Sequence, residues 1–272
     1  MSIIQALVLG VVQGISEFLP ISSSGHLILV PQIFGWADHG LVFDVAMHLA
    51  TLIAIVYVFW SEIKGMLISC LRFFSSRPAS KSTVDDVANR KLALMIIVAT
   101  IPAVIVGLMF GDVIEATFRS AKLIAVSLIF WGLVLAIADK VAAKRKTYTS
   151  VGWKQAIVAG IGQAIALIPG TSRSGITISA GLFTGMDRIQ AARFSFLLSI
   201  PAIAGAVAFT SAKIISSGAS VDWLPMLFGF VSALVAGIFS IRWLLRFISK
   251  TSYVWFAVYR IIIATIILTV IF

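Results

Sequence analysis

Hydroxyl-bearing and ionisable side chains gather in two short runs of an otherwise apolar sequence. The first is Gln13-Gly14-Ile15-Ser16-Glu17-Phe18-Leu19-Pro20-Ile21-Ser22-Ser23-Ser24-Gly25-His26. The second begins at Gln163 and contains Pro169-Gly170-Thr171-Ser172-Arg173-Ser174-Gly175-Ile176-Thr177. Gln13 and Glu17 are four residues apart and share one face of a helix. An acid in apolar surroundings is costly and points to function, with a Gln–Glu contact that glues helices as the plainer alternative. The Ser22–His26 turn offers hydroxyls, backbone N–H groups and a helix start, a combination suited to an anion. The turn around Ser172 does the same and adds Arg173, whose donor fork matches phosphate oxygens and which stays charged. A bare Arg173–Glu17 ion pair is the alternative there. His26, directly after Gly25, stands where a general acid, base or nucleophile toward phosphorus could act.

The rest of the chain must position these runs, and its composition says in what medium. Of 272 residues, 60% are hydrophobic and 12% charged, and the mean hydropathy is +1.07. Soluble domains are roughly 45–50% apolar, so this is an integral membrane protein. Several runs approach the ~20 apolar residues of a spanning helix, and the ~10-residue alternating segments of a β-barrel are not seen. The architecture expected is an all-α integral membrane bundle. The net charge of +10 does not indicate nucleic-acid binding, because Lys and Arg sit mainly in loops between apolar spans, where topology and anionic membrane lipids explain them. A single cysteine, Cys70, excludes an internal disulfide and a cysteine-rich metal site. No Lys or Arg precedes Lys64, so the N-terminus lacks the basic region of a cleavable signal and is expected to be retained.

Residues 3–19 and 26–36 form two apolar half-helices around Pro20, each too short to cross alone, and are expected as a re-entrant hairpin. A span at 43–60 follows, then a hydrophilic loop over 61–91 containing Arg77-Pro78 and Asp85-Asp86, and spans near 92–110 and 121–138. A second broken segment starts near Trp153, breaks at Pro169-Gly170 and resumes over 176–185, before spans near 192–212, 223–241 and 253–272. This predicts six transmembrane helices plus two re-entrant helical hairpins. The spacings Gly10-x3-Gly14 and Gly181-x3-Gly185 are read as close helix packing.

Basic residues segregate. Loop 61–91 holds six, 139–155 five, 186–193 two and 242–250 three, while the alternate loops hold only Arg119, Lys122 and Lys213. The positive-inside rule then puts both termini outside, with the first hairpin entering from outside and the second from the cytoplasm. At a constant offset of 150, Gly10, Gln13, Ser22, Ser24 and Gly25 match Gly160, Gln163, Ser172, Ser174 and Gly175. The chain therefore reads as one membrane domain, 1–272, built as an inverted-topology repeat with halves near 1–140 and 150–272. In such folds the site lies where the broken helices meet. Arg, Ser, Glu and His around a cavity in a membrane protein point to a phosphorylated lipid, since phosphoryl transfer needs cations and donors around the transferred group and an in-line nucleophile. His39 and His48 are expected to be structural. Asp44 and Arg260 either pair with neighbours or, for Asp44, assist a cation.

At these residues the sequence resembles the undecaprenyl-diphosphate phosphatase family associated with bacitracin resistance. The family's Glu/Gln-x3-Glu motif corresponds to Gln13–Glu17, its Ser/Thr-rich turn and histidine to Ser22–His26, and its Pro-Gly-x-Ser-Arg-Ser-x-x-Thr motif to Pro169–Thr177. The resemblance covers essentially the whole chain. It implies hydrolysis of undecaprenyl diphosphate to the monophosphate and inorganic phosphate, recycling the carrier lipid for cell-wall synthesis, with a divalent cation, Mg or Ca. It implies the bacterial cytoplasmic membrane, a site open to the outer face, and a homodimer as a possible assembly. Glu17, Ser23, His26 and Arg173 become the catalytic candidates, with either Ser23 or His26 as nucleophile. Gln13, Ser22, Ser24, Gly25, Thr171, Ser172, Ser174 and Thr177 become the substrate-binding candidates, and Glu17 the candidate metal ligand. Gln13 replaces a glutamate that the motif also allows, removing one possible cation ligand. The tripeptide Ser24-Gly25-His26 also resembles the phosphatidic-acid-phosphatase superfamily, but that pattern requires His and Asp where Ser179 and Phe183 stand. A polyprenyl-phosphate transporter or flippase is the alternative function, because inverted repeats with broken helices are a transporter design.

Overall fold

The computed structural model describes residues 1–74, 83–118, 120–143, 151–217 and 222–271, and its eleven elements are all α-helices. They are α1 (Ile3–Ser16), α2 (Ser23–Phe34), α3 (Gly40–Val58), α4 (Trp60–Phe74), α5 (Val84–Phe118), α6 (Ala121–Ala142), α7 (Trp153–Ile165), α8 (Arg173–Phe183), α9 (Arg188–Ser217), α10 (Trp223–Ile248) and α11 (Val254–Ile271). Helices α3, α5, α6, α9 and α10 are long and apolar enough to cross a bilayer, which makes this a multi-pass membrane protein. The 14 residues of α1 and 11 of α8 rise only ~21 and ~17 Å, against a hydrocarbon core of ~30 Å.

Two stretches differ from the sequence expectation. Segment 61–91 is not a loop: it contains α4 and the first turns of α5. Its serines and charges are interleaved with Ile63, Met66, Leu67 and Leu71, so an average over the segment hides a helical stripe. Helix α4 is held on α5 by Ser69, which donates to Asp86 Oδ1 at 2.9 Å. Thr83 and Asp86 exchange backbone and side-chain bonds at 3.1 and 3.2 Å, capping α5 at Val84, well before the expected start. Helix α5 then continues through Gly111 to Phe118. Helix α2 likewise begins at Ser23 rather than near His26. Arg77-Pro78, Arg119 and the basic run Lys144-Arg145-Lys146 lie outside the described residues.

The half-helices are clamped by backbone-to-backbone approach. A Cβ on Gly10 would stand 2.2 Å from Gly229 O, and one on Gly14 2.4 Å from Ala233 O, so α1 seats directly on α10. A Cβ on Gly160 would stand 2.6 Å from Ala99 O, so α7 seats on α5 in the same way. Helix α6 lies along α11, and α3 along α9 and α10. Below the first turn, Phe18 is fully buried and meets Phe196 edge-on at 5.7 Å, which fixes the backbone on either side of Glu17. At the C-terminal end of α6 and the N-terminal end of α9, Arg188 grips Asp139 with two bonds of 2.6 and 2.8 Å, and Ser252 and the Tyr253 N–H complete that carboxylate's shell.

Candidate active site

Helix α1 ends at Ser16 and α2 starts at Ser23, so Glu17–Ser22 form the first turn; α7 and α8 are joined by 166–172 in the same manner. Each turn ends on a serine with positive φ, Ser22 at +76° and Ser172 at +69°. These are the non-glycine residues with positive φ among those described, and each costs about 1–3 kcal/mol that the surrounding packing must offset. Ser22 and Ser24 hydroxyls lie 3.2 Å apart, and their counterparts Ser172 and Ser174 3.3 Å apart. The turns differ in capping. Ser172 Oγ accepts the Gly175 N–H at 3.2 Å, whereas α2 has no side-chain cap.

The two turns meet. Arg173 Nη2 donates to Glu17 Oε1 at 2.6 Å, and Ser174 Oγ donates to the Leu19 carbonyl at 3.0 Å. Arg260, fully buried, stitches the backbones together: it donates to the carbonyls of Pro20 at 3.4 Å, Gly170 at 2.9 Å, Thr171 at 3.0 Å and Leu128 at 3.0 Å. Arg260 and Asp44 both have neighbours to pair with. Asp44 accepts from His39 at 2.7 Å.

Glu17 is the centre of the cluster. Its Oε2 accepts from Ser23 Oγ at 2.6 Å and from Gln13 Nε2 at 3.0 Å, while Oε1 holds Arg173. Gln13, Glu17, Ser23 and Arg173 therefore converge as the spacing predicts. Gln13 Oε1 and Arg173 Nη1 are buried without a hydrogen-bond partner. A guanidinium nitrogen in that condition carries an unmet demand for an acceptor, which an anion in the adjoining space satisfies.

His26 is turned elsewhere. Its Nδ1 lies 2.7 Å from the Ser22 carbonyl and its Nε2 2.8 Å from the Tyr259 hydroxyl, with the two rings nearly coplanar at 5°. A carbonyl only accepts, so Nδ1 carries the hydrogen and Nε2 accepts from Tyr259. The remaining hydroxyls brace the second turn. Thr171 lies 3.4 Å from Ser127, and Thr177 donates to the Arg173 carbonyl at 2.7 Å while meeting Ser195 at 2.6 Å. A Cβ on Gly175 would be 2.9 Å from Arg260 Nη1, so that guanidinium would have to shift; at Gly25 the nearest atom would be 3.5 Å away.

Sequence reasoning missed two neighbours of the cluster. His48, expected to be structural, stands with Nδ1 3.2 Å from Gln13 Nε2 and 3.7 Å from Glu17 Oε2. Its signal was available: Asp44 and His48 are four apart inside an apolar span, the same spacing that marks Gln13 and Glu17. Tyr259 carried no signal, because a tyrosine in an apolar helix is unremarkable until its partner is known.

A family model described as bacitracin resistance protein BacA matches residues 6–266. An undecaprenyl-diphosphatase of Moorella thermoacetica is 45% identical over 270 residues, covering 99% of this chain and 98% of its own. Undecaprenyl-diphosphatase 1 of Pseudoalteromonas translucida is 45% identical over 263 residues, 97% of this chain and 96% of its own. An undecaprenyl-diphosphatase of Pelobacter propionicus is 44% identical over 273 residues, 100% of this chain and 98% of its own. With the family model matching residues 6–266 and relatives this similar from end to end, the chain belongs to the bacitracin resistance protein BacA family.

Proposed function

We propose that this protein hydrolyses undecaprenyl diphosphate to undecaprenyl phosphate and inorganic phosphate, returning the lipid carrier to cell-wall synthesis and conferring bacitracin resistance. The observation that carries the reading is the chain Ser23–Glu17–Arg173. It joins a hydroxyl, a carboxylate that accepts its proton, and a guanidinium with one nitrogen still lacking an acceptor. Arg173 Nη1 and the uncapped first turn of α2 hold the diphosphate oxygens. Ser23 Oγ attacks the terminal phosphorus and passes its proton to Glu17. The Ser–O–P bond forms as the bond from that phosphorus to the bridging oxygen breaks, and undecaprenyl phosphate departs with the electron pair. Water then cleaves the phosphoserine and releases phosphate, the proton on Glu17 returning to Ser23. Both nitrogens of His26 are engaged, which favours Ser23 as the nucleophile and gives His26 the task of holding the Ser22 carbonyl and the strained turn.

A divalent cation, Mg or Ca, fits this donor set only as a companion of the diphosphate. No three His, Cys, Asp or Glu side chains cluster among the described residues, and the Glu17 oxygens already have three donors. Mg sites commonly combine one or two carboxylates with substrate phosphates, and Glu17 with the unpartnered Gln13 Oε1 would supply the protein's share. Once bound, such an ion neutralises charge on the diphosphate.

The proposed placement is the bacterial cytoplasmic membrane, with six crossings, two re-entrant hairpins and the site open to the outer face. Seating of α1 on α10 and α7 on α5, together with the matched strain at Ser22 and Ser172, supports the inverted repeat. That symmetry is the feature a flippase would share. The chemistry is not symmetric: at the repeat offset Glu17 corresponds to Leu167 and His26 to Ile176, so only one copy carries the acid, which favours a reaction centre over a symmetric carrier. Phosphate released from undecaprenyl diphosphate by the purified protein, and lost in Arg173→Ala and Glu17→Ala, is the expected result. No release from well-folded wild-type protein would sink the enzyme reading.

A further inference from the structure

The mechanism above leaves His48 unused, yet it touches the catalytic cluster from a third element. Hydrogen positions there follow by elimination. The Glu17 carboxylate only accepts, so Gln13 must turn its NH2 toward Oε2, since the flipped amide would set oxygen against oxygen. The second hydrogen of that NH2 meets His48 Nδ1 at 3.2 Å, which must then accept. Neutral His48 consequently carries its hydrogen on Nε2. That Nε2–H has no acceptor among the described residues, and the His48 side chain is 39% exposed while its Nδ1 edge faces Gln13 and Glu17. Across Glu17, Arg173 Nη1 also lacks an acceptor. His48, whose Nδ1 stands 3.7 Å from Glu17 Oε2, and Arg173, bonded to Oε1, thus each bring a donor without an acceptor to the neighbourhood of Glu17.

We propose that His48 is a further diphosphate-binding residue, a neutral imidazole that donates Nε2–H to a non-bridging oxygen of the substrate and is locked in that tautomer by Gln13. This rests on the diphosphate reading of the site. It also gives Gln13 a use that a glutamate could not fill, because only the amide donates to Glu17 and His48 at once.

The test uses full-length protein in detergent, with affinity for methylenediphosphonate measured by calorimetry and KM and kcat measured with undecaprenyl diphosphate. His48→Gln puts an amide NH2 near the position of Nε2, whereas His48→Asn preserves a polar contact near Nδ1 but loses the reach. We expect affinity within about threefold of wild type for His48→Gln, and weakening by roughly tenfold or more, with a raised KM, for His48→Asn and His48→Ala. Rescue by Asn but not Gln would make His48 only a prop for Gln13 and overturn the proposal, as would unchanged binding in a folded His48→Ala protein. The Gln–Asn contrast stands even where the alanine variant does not fold. Wild-type protein that binds the probe through His48 but never turns over would refute the phosphatase reading alone; turnover and binding indifferent to His48 would refute this inference alone.

Discussion

Glu17 is 7% exposed and collects three donors. Removing one partner of such a buried pair strands the other, at about 3–5 kcal/mol, so an alanine at 17 confounds folding with catalysis. Glu17→Gln is the cleaner probe: it keeps the shape but cannot take the Ser23 proton. Turnover is expected to fall about 10²–10⁴-fold, the usual worth of a general base. Ser23→Ala should abolish the covalent step outright. Rapid-quench labelling with a substrate radioactive at the terminal phosphorus should trap phosphoprotein in His26→Ala and none in Ser23→Ala; the opposite pattern would make histidine the nucleophile. The residues of this cluster were legible in the sequence because an acid, a hydroxyl run and an arginine stand out against apolar neighbours. What was not legible is orientation. His26 reads as reactive until Tyr259, 233 positions away, is seen on its Nε2.

At the scale of elements, the repeat at an offset of 150 anticipated both broken helices, since Pro, Gly and Ser interrupt an apolar period at matching places. The repeat alone does not tell spacer glycines from the others, although the Gly10-x3-Gly14 spacing marked one close-packed face. Gly10 and Gly160 allow contact between helix backbones, whereas Gly25 faces Ile124 at an ordinary distance of 3.5 Å. Gly10→Ala and Gly160→Ala should each destabilise the protein by roughly 1–3 kcal/mol through overpacking, and Gly25→Ala should leave its thermal unfolding in detergent nearly unchanged. Equal losses at all three would mean that the glycines act through backbone freedom instead of contact. Helix α4 was missed for a related reason. Its apolar positions, including Leu71 at 70% and Phe74 at 84% exposure, look outward, so it reads as a polar connector until α5 is placed behind it.

For the whole molecule, the decisive quantity is the side on which the site opens. The proposed re-entrant arrangement puts Glu17 and Ser23 on a hairpin reaching in from outside and Arg173 on one reaching in from the cytoplasm, with His48 on the long apolar helix α3. Arg260 ties both turns through backbone carbonyls, so the two halves cannot separate without exposing that guanidinium. The proposed orientation rests on segregated Lys and Arg, and it has a direct consequence. It would put Asp38, in the exposed connection before α3, outside and Lys250, in the exposed turn after α10, inside. In a Cys70→Ser background, a cysteine at 38 should react with a membrane-impermeant maleimide in intact cells, while one at 250 should react only after permeabilisation. The reverse pattern would open the site to the cytoplasm, where a phosphatase could not serve carrier lipid released on the outer face. Labelling at 38 alone puts the acid, the nucleophile and His48 on the side where spent carrier accumulates, and leaves the second half to contribute the cation that holds it.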